Sequence, residues 1–248
     1  LSSEPTRIFD LEHRVSGPDP FTEVETCRDF DRTMRTQLII PMQHLMKLLA
    51  PYVADAEQVL EVGCGPGLVS LRLAALHKQA EFTAVDANDR FLEVARENAV
   101  FANLVNYGGR FTCDWSHSTR LPFEDDSFDV VFSFCAVPRW SRPAMTIAEC
   151  ARVCRPGGTV VVYDLARDAD EGMISFVLQY SAGEADQFMR SLRSGYTVPE
   201  MRELLAGLGL GDWSVAREGI NLVVSSRPLG VDYAVGEPGI YEDIFTER

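Results

Sequence analysis

The order of apolar and polar positions divides the chain in two near residue 57. Before that point the pattern is helical. "FTEVETCRDFDRTMRTQ" (21–37) is charged and helix-compatible, and "LIIPMQHLMKLLAPYV" sets Leu38, Met42, Leu45 and Leu49 on one face. Pro51 is expected to end that second helix. Residues 1–56 therefore read as an N-terminal helical cap.

Beyond 57, short apolar runs alternate with amphipathic ones. Strands are expected at "QVLEV" (58–62), "EFTAVD" (81–86), "RFTCD" (110–114), "FDVVFSF" (128–134) and "TVVVYDL" (159–165). Helices are expected at 68–78, with Leu68, Leu71 and Ala75 inward, and at 89–104, with Leu92, Ala95, Ala99 and Ala102 inward. A third, 143–154, is closed by the stop "RPGG". Strands this apolar, spaced by helices, predict a parallel sheet covered on both faces, which binds ligands outside the carboxyl ends of its strands. Residues 166–196 break the rhythm with mixed charge and aromatics, including Phe176 and Tyr180, and read as helices over that ligand edge. Thr197 and Glu200 form a capping box for the next helix, and Gly207 or Gly209 can end it. "DWSVAREG" and "INLVVSSR" close the sheet as an antiparallel pair. The expected fold is α/β: a Rossmann-like, doubly wound, seven-stranded sheet, mostly parallel with an antiparallel last strand. The main domain spans 57–228, and the tail 229–248 has no readable role.

Charge and cysteine usage narrow the partners. The net charge of −14, with no basic run, disfavours nucleic acid and anionic membrane. No apolar run is long enough to span a bilayer, and the start "LSSEPTRIFD" lacks a signal pattern. Six cysteines without a C-x-x-C pair read as buried small residues in a reducing cytoplasm, with no metal set among them. Oligomeric state cannot be read.

The chemistry begins at "VLEVGCGPG" (59–67). Gly63 and Gly65 match a dinucleotide fingerprint, but the third position is Leu68, and Gly67 comes one residue early. Pro66 removes a backbone donor, and no G-K-[ST] follows, so the loop is unsuited to phosphate. Glu61, Asp86 and Asp114 lie at or near the ends of three successive strands. A carboxylate at Asp86 can accept from both ribose hydroxyls, and one at Asp114 from an adenine amino group, with Trp115 able to stack on the ring. Each taken singly also suits a turn former or helix cap.

Together these segments resemble the class I S-adenosylmethionine-dependent methyltransferases that act on small molecules. "VLEVGCGPG", "AVDAND", "CDWSHSTRLPFEDDSFDVVFSF", "ECARVCRPGGTVVVYD" and "YTVPEMRELLAGLGLGDWSV" occur in the family's order across 57–226. The resemblance implies S-adenosyl-L-methionine as cofactor. It implies Gly63, Cys64, Gly65 and Gly67 at the methionine part, Asp86 at the ribose, Ala87 beside the adenine, Asp114 and Trp115 on the adenine, and Ser133 and Phe134 at the methionyl end. It implies methyl transfer to O, N or C of a small molecule. The same motifs also suit a relative using the cofactor for other chemistry, or a catalytically silent adenosine-binding module.

Candidates for the acceptor side are fewer. Where many relatives carry histidines after the fourth strand, this chain reads "AVPRW" (136–140). Arg139 there can anchor an anionic substrate group, or simply lay its stem on Trp140. His44 follows the apolar stripe and is a candidate base, unless it is an ordinary core or surface histidine. Tyr163, Asp164 and Tyr180 are further pocket candidates. Nothing resembles the divalent-metal site of catechol-type relatives.

Overall fold

A computed structural model describes residues 8–15, 19–102, 110–181 and 183–228. The tail 229–248 lies outside the described residues. Seven strands form one sheet: β1 (Gln58–Val62), β2 (Glu81–Asp86), β3 (Phe111–Trp115), β4 (Phe128–Phe134), β5 (Cys154–Leu165), β6 (Ser214–Glu218) and β7 (Asn221–Ser225). Their order is β3-β2-β1-β4-β5-β7-β6. The first five are mutually parallel, and β7 runs antiparallel to both β5 and β6. The sheet order reverses between β1 and β4, which opens a crevice at their carboxyl ends.

One face is covered by α1 (Val24–Thr36), α2 (Ile39–Val53), α3 (Leu68–Leu76) and α4 (Asp89–Phe101), which share one buried cluster with Val59, Phe132 and Tyr163. The other face carries α5 (Pro143–Val153), α6 (Glu171–Tyr180), α7 (Ala185–Ser194) and α8 (Val198–Gly207) over Leu60, Val131 and Val162. Alternate strand positions thus feed two separate cores, as a pleated sheet requires. Among the described residues no helix is long and apolar enough to cross a membrane.

Local departures have local causes. Pro51 does not end α2. It sits inside the last turn, which still closes through Ala54 N–H on the Ala50 carbonyl at 3.0 Å. Ala75 and Ala102 are exposed rather than inward: Ala74 takes the buried place on α3, and Ala102 lies beyond the last turn of α4. "RPGG" does not separate helix from strand. β5 already starts at Cys154, and the register jumps from Phe128↔Cys154 to Val130↔Thr159, so Arg155–Gly158 form a bulge with Gly157 at φ +80°. The capping box is present, with Glu200 N–H on Thr197 Oγ1 at 3.2 Å and Thr197 N–H on Glu200 Oε2 at 2.9 Å.

The segment after β5 is tied to the N-terminal arm by several side chains, among them Glu171, Arg14, Ser194 and Arg167. Arg167 is 2% exposed. Its guanidinium donates to the carbonyls of Leu11 (2.6 Å), Glu12 (2.7 Å) and Gly195 (3.2 Å), and also to the Glu200 carboxylate.

Candidate cofactor and acceptor site

The crevice holds a cavity of about 440 Å³, within the range of small-molecule sites. It runs from Ser116 and His117 after β3, past Asp86 and Ala87, to Gly63, Arg139 and Trp140, with Phe21 before α1 as part of its wall.

The glycine loop is shaped by steric need. Gly63, Gly65 and Gly67 all have left-handed φ, at +76°, +52° and +74°. A Cβ on Gly63 would lie 2.6 Å from Ala136 Cβ, so only hydrogen lets the loop pass the end of β4. The backbone donors of this loop are already used. Gly63 and Cys64 N–H donate to the Val85 carbonyl (2.8 and 3.0 Å), Gly65 N–H to Asp86 Oδ2 (2.9 Å) and Gly67 N–H to the Cys64 carbonyl (3.0 Å). Pro66 has no N–H, and its carbonyl accepts from Asn98 Nδ2 at 2.9 Å. No donor from Gly63 to Gly67 remains to cradle a diphosphate.

Asp86 is 8% exposed and has a second partner in Asn88 N–H, on Oδ1 at 2.9 Å. Burial pushes its carboxyl pKa up, opposed first by the positive Arg139 and then by these two backbone donors. Ala87 lines the cavity beside it, and its carbonyl accepts from Trp115 Nε1 at 2.9 Å.

The other residues expected here are spread more widely. Asp114 and Trp115 are exposed and lie outside the cavity wall; Ser116 and His117 face the cavity instead, with the His117 ring 4.7 Å from the indole. Trp115 is fixed from behind Ala87, which accounts for its position. Glu61 also stays out of the cavity. It is 1% exposed, and its Oε2 accepts from Ser70 N–H (3.2 Å) and Oγ–H (2.5 Å), fastening β1 to α3. Burial raises its pKa to about 8. Cys64 is buried with its thiol toward the Gly65 carbonyl, and burial holds that thiol protonated. Ser133 is buried with an unpartnered hydroxyl, and the Phe134 ring stacks on Tyr163 at 6.0 Å.

Arg139 reaches the cavity because the chain turns sharply after β4. Cys135 adopts φ +52°, rare for a side-chain-bearing residue, and a short 3-10 turn follows at Val137–Arg139. Asp164, 2% exposed, holds that turn through Val137 N–H on Oδ2 (2.9 Å) and takes Leu165 N–H on Oδ1 (2.8 Å). Burial raises its pKa to about 6, opposed first by these backbone donors. The guanidinium sits over Phe21, Phe30 and Phe91, whose rings also pack on one another.

His44 and Tyr163 come together on the same sheet face but not in the cavity wall. Their rings are 6.1 Å apart, and His44 Nε2 is 2.9 Å from Glu218 Oε1 at the end of β6. Glu218 is absent from the sequence-based candidates, since only the fold brings β6 to α2. Tyr180 is exposed on α6. Among the described residues no group of three or more His, Cys, Asp or Glu could hold a metal ion.

The cavity fits an adenosine ligand without phosphate. It offers a buried carboxylate beside a closed glycine turn, and Trp140 Nε1 is a buried donor with no partner. Residues 60–162 match the family model described as a methyltransferase domain. The chain is 24% identical over 177 residues to the 27-O-demethylrifamycin SV methyltransferase of Amycolatopsis mediterranei, covering 65% of this chain and 61% of that one. It is 28% identical over 202 residues to the ubiquinone biosynthesis O-methyltransferase of Roseobacter denitrificans, covering 75% of each. Coverage falls to 40% of the length of O-methyltransferase cnsE of Penicillium expansum. The fold is shared with the plantazolicin methyltransferase BamL, solved with a substrate analogue and S-adenosylhomocysteine (TM-score 0.64, 16% identity, 80% of this chain and 74% of that one). It is shared too with a SAM-dependent methyltransferase from Aquifex aeolicus (TM-score 0.60, 18% identity, 82% and 97%).

Proposed function

Because this chain belongs to the class I S-adenosylmethionine-dependent methyltransferases, we propose that it methylates a hydroxyl group of a small-molecule acceptor. The observation offered for oxygen is the His44–Glu218 pair against Tyr163, which lies on the same sheet face but outside the cavity wall. A hydroxyl holds its proton at neutral pH, so its methylation benefits from a proton acceptor. The Glu218 carboxylate 2.9 Å from Nε2 fixes the orientation of the His44 ring. The Penicillium expansum and Roseobacter denitrificans relatives, both named O-methyltransferases, agree with this choice.

S-adenosylmethionine, when bound, supplies a methyl group already attached to a good leaving group. The residues that would hold it are Gly63, Asp86, Ala87, Ser116 and His117, which line the cavity. Phe21 and Trp140 wall its far end and exclude water. The N-terminal residues Asp19, Phe21 and Thr22 supply part of the acceptor's enclosure. The enzyme's main contribution is orientation, which can be worth on the order of 7–11 kcal/mol.

The test is transfer of methyl label from the cofactor to a panel of hydroxylated, amine and carbon acceptors, with wild type and His44→Gln. Labelled ethers, lost in the variant while S-adenosylhomocysteine affinity holds, are expected. Transfer only to nitrogen or carbon, or an unchanged rate in the variant, overturns the hydroxyl reading. Cofactor binding with no transfer to any acceptor favours a silent module.

A further inference from the structure

We infer that Arg139 receives the carboxylate of the cofactor's amino-acid end, and not an anionic group of the methyl acceptor. This rests on the cofactor reading above. The guanidinium carbon lies 5.5, 5.8 and 5.6 Å from the ring centroids of Phe21, Phe30 and Phe91. Two of those rings also face the glycine loop: a Cβ on Gly65 would be 3.8 Å from Phe91 and 4.0 Å from Phe30. The guanidinium is thereby fixed at the end of the cavity formed by α1 and the loop, opposite the Ser116–His117 end.

That position leaves a cation without an anion. No ion pair reaches Arg139 among the described residues. Of the carboxylates lining the cavity, Asp86 has one oxygen on Gly65 N–H and the other on Asn88 N–H, and Asp19 Oδ1 accepts from Phe21 N–H. Ring faces attract a guanidinium but accept none of its hydrogen bonds in the way an oxygen does. The neighbouring Trp140 Nε1 is likewise buried and unpartnered. This end of the cavity is rich in donors and poor in acceptors, and a planar fork of donors matches a carboxylate. A ligand with its adenosine toward Asp86 and Ser116 brings its amino-acid end here. The pairing also cancels a repulsion, since an unpaired guanidinium would disfavour the ligand's own positive sulfur.

Calorimetry separates the possibilities with two probes, S-adenosylhomocysteine and 5′-methylthioadenosine, which lacks the amino-acid end. For Arg139→Gln, affinity for S-adenosylhomocysteine is expected to fall about 10- to 100-fold, with that for methylthioadenosine unchanged within about twofold. Arg139→Lys, which keeps the charge without the fork, falls between. The acceptor's KM at saturating cofactor stays unchanged. Equal weakening of both probes, or of neither, overturns the assignment, as does a raised acceptor KM with intact S-adenosylhomocysteine affinity. A wild-type chain that binds neither probe refutes the cofactor reading instead, so the two failures are distinct.

Discussion

Replacing Gly63 by alanine tests how tightly the loop is fitted against β4. Two costs arise. Placing a side-chain-bearing residue at φ +76° costs roughly 1–2 kcal/mol. The new methyl would also sit 2.6 Å from Ala136 Cβ, well inside contact distance, in a junction held by Asp164 and unable to retreat freely. Overpacking of this kind costs roughly 1–3 kcal/mol, so the sum is about 2–5 kcal/mol. For a chain of 248 residues that lowers the melting temperature by about 5–15 °C. Gly157→Ala isolates the first cost, because Gly157 has φ +80° but nothing within 4 Å of its missing Cβ. The compensating double change Gly63→Ala with Ala136→Gly isolates the second. Thermal and urea unfolding of all three, with S-adenosylhomocysteine affinity alongside, give the comparison. Gly63→Ala should destabilise more than Gly157→Ala, and the double variant should recover part of the difference. Equal losses for the two alanines, or no recovery, would refute the steric argument.

Two further predictions concern stability. Glu61 titrates near 8 in the fold against 4.5 in an unfolded chain, so the native state binds the extra proton between those values. Stability from this site is therefore greatest at low pH and declines as pH rises from about 4.5 through 8; Glu61→Gln removes the decline, gaining on the order of a few kcal/mol over wild type between pH 5 and 9 in urea midpoints. An unchanged difference across that range contradicts the burial argument. Thr197→Ala removes half of a capping box that is present on both sides and should cost about 0.5–2 kcal/mol by chemical denaturation; no loss would show the cap to be dispensable.

Much of the fold was legible because parallel strands buried on both faces read as unbroken apolar runs. The expected limits at 58–62, 81–86 and 128–134 are those of β1, β2 and β4. Alanine carries too little signal to fix a helix face, which accounts for Ala75 and Ala102. In the site, strand ends place Gly63 and Asp86 at the cavity whatever the rest of the chain does, while position at a strand end does not say which neighbour turns into the cavity: Ser116 and His117 line it, and Asp114 and Trp115 do not. The aromatic trio under Arg139 and the partner of His44 depend on contacts between distant segments. Phe21 and Phe30 had a weak signal, since Cys27, Phe30 and Met34 recur at helical spacing within a charged segment.

The junction at Arg167 restricts how this protein can be recombined. A chimera that takes residues 166–196 from a relative, but leaves the N-terminal arm native, must keep an arginine at this place. Otherwise the carbonyls of Leu11, Glu12 and Gly195 lose their common donor. Exchanged together, the two segments keep this junction intact.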